Sequence, residues 1–309
     1  MPASPPRTLQ DRIGRYVDGD VRVDEPLAPW TSVRVGGPAE LWVRPASAEA
    51  LVGLLRMAAE EAVGISILGG GANTLVGDGG VPGVTLKLPA DLFPEKSEVS
   101  EEEGRITLGA GSAIVRIVNQ MKTHKLTGVE FLAGIPGTIG GAVSMNAGTK
   151  MGECMSAIEA VELATPSGLG WLDRGELSWR YRHTQLPQGA VITRARFLLR
   201  RGDLDASRAQ MDADLGYRKR TQPLSQPNFG SVFQNPPGDF AGRLIEKVEL
   251  KGHRLGGAQI STQHANWIVN LGGATARDVV SLLELAQRRV LEDSGVTLVP
   301  EVKRIGSFL

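Results

Sequence analysis

Three observations in the sequence predict an α/β architecture divided into two or three domains. Short apolar strands alternate with amphipathic helices, two glycine-rich stretches follow apolar runs, and the 309-residue chain is longer than one typical core needs. The alternation is clearest early in the chain. Leu41 to Val43 is a short apolar run, and Ser47 stands where a helix N-cap would. Behind it Leu51, Leu54, Leu55 and Ala58 recur at i, i+3, i+4 and i+7. Apolar runs at 65–68 and 84–88 bracket the first glycine stretch, so residues 1–90 read as a small α/β unit, although 1–27 carry no strong periodicity.

A second unit is expected over 91–202. It opens on the acidic segment 94–104, read as a solvated loop at a domain border. A strand at 106–108 and a helical repeat of Ile114, Ile117, Val118 and Met121 follow, then strands near 157–163 and 190–200. The texture changes near 203. Residues 204–217 predict a polar helix, and prolines at 223, 227, 236 and 237 mark a loop-rich stretch. Thr275 and Asp278 make a capping-box-like start for a helix over 276–293, with Val279, Leu282, Leu283, Ala286 and Val290 on one face. A third domain is therefore expected over 203–300, with the tail 301–309 returning to the middle domain.

Composition narrows the function. Lys plus Arg is 34 and Asp plus Glu is 34, so no global field draws the chain to nucleic acid or to an anionic membrane. No stretch approaches the roughly 20 apolar residues of a membrane span. Cys154 is the single cysteine, which excludes an intramolecular disulfide and points to a reducing, cytoplasmic setting. The four histidines, His124, His183, His253 and His264, lack metal-ligand spacing, and no metal is expected.

The chemistry-bearing stretches are LGGGANTLV at 68–76 and AGIPGTIGGAVSMNAG at 133–148. Glycine lets backbone N–H groups approach an anion, and successive amides form an anion-binding nest whose natural guest is a pyrophosphate. Neither stretch is a Walker A or an ordinary Rossmann fingerprint. A single such loop also fits an unusual turn. The pair, flanked by Asn73 and Asn146, points to phosphate. Three further groups stand out. Arg182, after Tyr181, offers a fork for a carboxylate; Ser231, in GSVFQNP, offers a hydroxyl proton; Glu301 is a carboxyl group on an apolar strand. Each alone also fits a cap, a surface pair or a satisfied core polar group.

In order along the chain, TSVRVGGPA at 31–39, LGGGANTLV, GVEFLAGIPGTIGGAVSMNAG, Tyr181-Arg182, GSVFQNP, AGRLIE at 241–246, His264-Ala265-Asn266 and Pro300-Glu301-Val302 resemble the UDP-N-acetylenolpyruvoylglucosamine reductases (MurB). The compact spacing between Tyr181-Arg182 and GSVFQNP is similar to the shorter form, which lacks an inserted tyrosine loop. The resemblance implies an α+β protein: an FAD-binding module of the vanillyl-alcohol-oxidase (PCMH) type made of two α/β subdomains, 1–90 and 91–202, plus an α+β substrate-binding domain. It implies non-covalent FAD, NADPH as hydride donor and a UDP-sugar as substrate, in a monomer or weak oligomer that makes a cell-wall precursor. The implied catalytic residues are Arg182, Ser231 and Glu301. Those implied to hold FAD are Gly69, Gly70, Gly71, Ala72, Asn73, Thr74 and Leu75 in the first stretch. In the second they are Gly134, Ile135, Pro136, Gly137, Gly140, Gly141, Ala142, Asn146 and Gly148. Tyr181, Gln234, Asn235, His264 and Asn266 are implied to face the substrate. Three stretches depart from the family pattern: Ala72 and Thr74 replace Ser and Leu, Gln234 replaces Lys, and Thr149-Lys150-Met151 replaces Ala-Tyr-Gly. Another FAD oxidoreductase of the same fold, acting on a sugar lactone or alcohol, and a non-catalytic flavin or UDP-sugar binder are the rival readings.

Overall fold

In a computed structural model of the chain, residues 9–13 and 17–308 are described; the proline-rich start, Met1 to Thr8, lies outside them. The fold separates into two compact units, each assembled from discontinuous segments. Residues 9–24, 41–70 and 83–214 make the first, and 25–40, 71–82 and 215–308 the second. The change of unit at Asp214 falls inside the helix Leu204–Thr221. No helix among the described residues is long and apolar enough to cross a membrane.

The first unit carries two sheets. One has the order Gly19–Pro26, Pro38–Pro45, Val81–Leu86, Ile65–Ile67, with the last two strands parallel. The helix Ala48–Glu60 packs Leu51, Leu54, Leu55 and Met57 into its core beside Leu41, Val43, Val84 and Leu86. That helix starts where the sequence places it, because the Ser47 hydroxyl accepts from the Ala50 amide at 3.0 Å. The other sheet is antiparallel, ordered Gly168–Asp173, Ile158–Thr165, Val191–Arg200, Glu103–Gly109, Lys96–Val99. On one face Ala195, Phe197 and Leu199 meet Ile117, Val118 and Met121 of the helix Val115–Thr123 and Ile139, Ala142 and Val143 of the helix Ile139–Ser144. The acidic segment is a hairpin rather than a loop. Lys96–Val99 pairs with Glu103–Gly109 as a fully exposed edge strand, where its charges keep the open edge from pairing with another chain. Cys154 is buried, and burial, then the charge of Glu153, pushes its thiol up to about 12, so it stays an inert core group.

The second unit packs an antiparallel sheet, ordered Asn228–Ser231, Trp267–Asn270, Ala258–Ile260, Arg254–Leu255, against the helices Ala241–Lys247 and Ala276–Ser294. The longer helix begins with a capping box between Thr275 and Asp278 and ends at Gly295 in the left-handed conformation, φ 70°. Two segments from early in the chain complete this unit. Val33 and Val35 enter its core, and Asn270 Nδ2 donates to the Val33 carbonyl at 2.9 Å. Leu75 enters it too, on the short strand Thr74–Val76. The tail departs from the expected return to the middle domain: Lys303–Ile305 pairs in parallel with Thr74–Val76 in the second unit.

Asp78 ties the early segment down. Its two carboxylate oxygens accept from the Ala276 and Arg277 amides at 2.8 and 2.9 Å, at the positive end of the helix Ala276–Ser294. Asp78→Ala leaves both amides without that partner and is expected to cost about 1–2 kcal/mol, read as a lower urea midpoint with an unchanged m-value.

Candidate active site

In the first unit the two glycine stretches lie against each other. A Cβ at Gly70 would stand 2.6 Å from the Gly137 α-carbon, and one at Gly69 would stand 2.7 Å from the Thr138 hydroxyl. The backbones therefore meet as only glycine permits, and Gly134 and Gly137 also hold φ of 72° and 121°. A third turn completes the wall. Ile139 and Gly140 donate to the carbonyls of Ser112 and Ala110 at 2.8 and 2.9 Å, and Ile114 donates to Gly137 at 3.0 Å. Thr138 caps the helix Ile139–Ser144. Among the described residues the amides of Gly69, Gly70, Gly137 and Thr138 have no hydrogen-bond partner. The result is a patch of backbone donors not committed within the fold.

Lys87 sets the direction of one of these donors. Its Nζ donates to the Gly69 carbonyl at 2.5 Å. In a trans peptide the carbonyl and the following N–H point opposite ways, so this bond turns the Gly70 N–H away from Lys87. Burial, with Arg44 nearby, pulls the Lys87 ammonium below its ordinary pKa. Lys87, Ser112 and Thr138 are residues the sequence reading passed over. The one available signal was a third glycine turn, Gly109-Ala110-Gly111-Ser112, at the end of a strand.

Arg182 also belongs to the first unit. It sits at φ 56° between the strands Ser178–Arg180 and His183–Gln185, its guanidinium 4.9 Å from the Tyr181 ring centroid, and Nη1 donates to the Gly148 carbonyl at 3.0 Å. The hairpin is tethered to the second glycine stretch at two more points. Asn146 Nδ2 donates to the Arg180 carbonyl at 3.2 Å, and the Thr184 hydroxyl donates to the Val143 carbonyl at 2.5 Å. Asn146 is buried, and its Oδ1 accepts from the Met155 amide, so its side chain braces the loop from within.

The second unit brings Ser231 and Glu301 together. Ser231 ends the strand Asn228–Ser231, opposite Trp267. The Glu301 amide donates to the Val232 carbonyl at 2.8 Å, and the Gln234 amide donates to Val299 at 2.9 Å, so the chain from 299 to 301 runs beside the serine loop. Asn73 Nδ2 donates to the Glu301 carbonyl at 3.0 Å. Asn266 is buried and clamps the neighbouring peptide: Oδ1 accepts from the Phe233 amide at 3.0 Å and Nδ2 donates to the Phe233 carbonyl at 2.8 Å. His264 Nδ1 accepts from the Asn266 amide at 3.2 Å, and burial, reinforced by Lys251, holds the imidazole below its usual pKa. Asn235 Oδ1 accepts from the Ala241 amide at 3.1 Å, at the start of the helix Ala241–Lys247. Asn235, His264 and Asn266 thus order the serine loop through their side chains. In the first glycine stretch, Gly71, Ala72, Asn73, Thr74 and Leu75 belong to this unit, and Leu75 points into its core.

Residues 39–169 match the FAD binding domain family, and residues 222–305 match the C-terminal domain of UDP-N-acetylenolpyruvoylglucosamine reductase. A protein of Myxococcus xanthus (strain DK1622) named UDP-N-acetylenolpyruvoylglucosamine reductase is 70% identical over 290 residues, 94% of each chain. A protein of the same name from Anaeromyxobacter sp. (strain Fw109-5) is 55% identical, covering 96% of this chain and 92% of that one. The crystal structure of the reductase (MurB) from Thermus caldophilus superposes with a TM-score of 0.79 at 35% identity, over 94% of this chain and 99% of that one. The fold and the matched domains define a flavin-dependent oxidoreductase with an FAD-binding domain and a C-terminal domain of its own. The donors are of the kind the cofactor needs, since a pyrophosphate is held by closely spaced free amides, and these lie where two glycine backbones touch. Within that class, the chain belongs to the UDP-N-acetylenolpyruvoylglucosamine reductase family.

Gly70→Ala forces a Cβ against the Gly137 backbone. The protein is expected to fold, by circular dichroism, but to bind FAD at least about 10-fold more weakly, a loss of roughly 1.4 kcal/mol. Equilibrium titration of the apoprotein with FAD measures it.

Proposed function

We propose that this protein reduces the enolpyruvyl ether of UDP-N-acetylglucosamine enolpyruvate to UDP-N-acetylmuramate, with NADPH as the electron source, as a step in peptidoglycan precursor synthesis in the cytoplasm. The observation that carries the reading is the seating of Ser231 beside Glu301, through the backbone bond from Glu301 to Val232, on a loop clamped at Phe233 by Asn266. When bound, FAD supplies hydride transfer to the vinyl carbon. The protein's own residues handle the charge and the proton. Saturating the vinyl group places negative charge on the adjacent carbon and its carboxylate. The Arg182 guanidinium is suited to bind that carboxylate in two-pronged fashion, and Glu301 adds a hydrogen-bonding carboxyl group.

Ser231 then gives its proton to the carbanionic carbon. A serine hydroxyl is a weak acid, so this role requires a fixed hydroxyl and local stabilisation of its conjugate base. The backbone that carries the hydroxyl is held on both sides: Gly230 holds φ 81° and donates to Asn228 Oδ1 at 2.8 Å, and Val232 donates to the Asn266 carbonyl at 2.9 Å. Gln234 stands in this loop where the family pattern has lysine.

Two measurements test the reading. Acid precipitation is expected to leave the yellow flavin in the supernatant, because neither glycine stretch contains a His, Cys or Tyr for covalent attachment; colour retained in the pellet contradicts non-covalent binding. In Ser231→Ala, anaerobic flavin reduction by NADPH is expected to stay within a few-fold of wild type, while reoxidation by the enolpyruvyl sugar falls at least about 100-fold. Stopped-flow absorbance follows each half separately. Equal loss in both halves marks general damage to the site, and normal reoxidation removes Ser231 as proton donor.

A further inference from the structure

The antiparallel sheet of the first unit has a second face, which the chemistry above leaves unused. Along Val191–Arg200, Ala195, Phe197 and Leu199 point into the core with the two helices. Strand alternation therefore turns Arg194, Arg196, Leu198 and Arg200 to the opposite side. Arg105 joins them, since it pairs in register with Leu198 on the adjacent strand. On this face lies a cavity of about 640 Å³, lined among others by Arg105, Arg174, Arg196 and Arg200, with only Glu159 and Asp173 as carboxylates.

Four arginines against two carboxylates line this cavity, an excess of positive charge at its wall; Glu103, and Glu98, which is ion-paired with Lys96 and in register with Arg105, lie beside it. Arg194, just outside it, is matched by Glu162, with two hydrogen bonds of 2.8 and 2.5 Å. Inside it Arg105 takes most of the available negative charge, through Glu159 at 2.8 Å and Glu103 at 2.7 Å. Arg196 reaches Glu159 only at 3.6 Å, and Arg200 reaches Glu103 only at 4.0 Å. Arg174 donates to the Ser156 carbonyl, a neutral partner. Asp173 is already engaged in the capping box with Glu176. Among the described residues Arg174, Arg196 and Arg200 thus have no hydrogen bond to a carboxylate. Arg196 is also held in place, its guanidinium 4.5 Å from the centroid of Trp171. Arg196 and Arg200 stand about 13 Å apart along the strand, with Arg105 across from the residue midway between them.

We propose that this cavity binds a small multivalent anion bearing two or more phosphate or carboxylate groups, at a site separate from the glycine-loop site. Guanidinium forks pair with either group, and several spaced forks with excess positive charge select for more than one anionic group on the same ligand. A single monovalent anion would engage one fork and leave the others unmatched.

The test uses the FAD-loaded enzyme with inorganic tripolyphosphate as probe, followed by calorimetry, with citrate and orthophosphate in parallel. Arg196→Gln/Arg200→Gln is expected to weaken tripolyphosphate binding about 10-fold, the effect of losing two partly solvated charge pairs. It should retain FAD and NADPH-driven turnover. Glu159→Gln is expected to tighten binding at least about 3-fold, a gain that misfolding cannot produce. If the double variant fails to fold, Arg174→Gln carries the same expectation with a smaller loss. Citrate binding as tightly as tripolyphosphate assigns the site to multivalent anions in general, and a tripolyphosphate preference assigns it to phosphates; both support the proposal. Unchanged affinity in the arginine and Glu159 variants overturns it, as does orthophosphate binding as tightly as tripolyphosphate.

Discussion

The first unit is organised around a close approach of backbones. Gly69 and Gly70 lie so near Gly137 and Thr138 that a methyl group on either glycine would overlap a neighbour. A protein surface rarely offers several unpaired amides side by side, because buried N–H groups need partners and exposed ones are usually shielded by side chains. Placing two glycine turns in contact solves both problems, since the amides stay open while the scaffold behind them is fully bonded. That scaffold consists of the Ala110–Ser112 carbonyls and the capped helix that Thr138 begins. The Lys87 bond to Gly69 adds orientation and a partly buried positive charge beside the donors. Arg182 depends on the same scaffold, because its hairpin is tied through Asn146 and Thr184 to the second glycine stretch itself.

The second unit meets a different constraint, which is to build one core from three separated segments. The long helix buries Val279, Leu282, Leu283, Ala286 and Val290, and needs a partner surface that its own sheet supplies only in part. Val33, Val35 and Leu75 fill the remainder. Closing such long loops costs entropy that grows only slowly with loop length, so a few well-placed bonds suffice. Asp78 at the helix start, Asn270 at Val33 and the parallel pairing of 303–305 with 74–76 are those bonds. The same pairing brings Glu301 to the serine loop, so the residue expected to act in chemistry is placed by the element that closes the unit.

Much of this was legible in the sequence, and the boundary of legibility is physical. Helix starts at Ser47 and Thr275 were readable because a cap is a local event within four residues. The glycine stretches were readable because unusual backbone demands an unusual composition. The tail's destination was not, since parallel pairing with 74–76 leaves no mark in either segment alone. The acidic hairpin was missed because an edge strand facing solvent has no apolar side to reveal its period. Asn146 was expected beside phosphate, and Asn235 and Asn266 were implied by the resemblance to face the substrate. The fold also applies their side chains to backbone groups, a use that leaves no mark in the sequence.

A formal charge of zero describes the whole chain poorly, because the charge is sorted by location. Near the glycine cradle the field comes from oriented amides with Lys87 and Arg44 close by, so affinity for an anion there relies on preorganised dipoles and little on mobile surface charge. On the outer face of the antiparallel sheet it comes from guanidiniums on strands, whose spacing is fixed by the pleat and which outnumber the carboxylates lining the same cavity. Dipoles that are already bonded into a scaffold are insensitive to ionic strength, whereas half-exposed guanidiniums are screened by it. Two anion-attracting surfaces built in these different ways on one unit should therefore separate under salt: added salt weakens attraction at the arginine face first and leaves the cradle, whose donors are covalent parts of the backbone, largely unaffected.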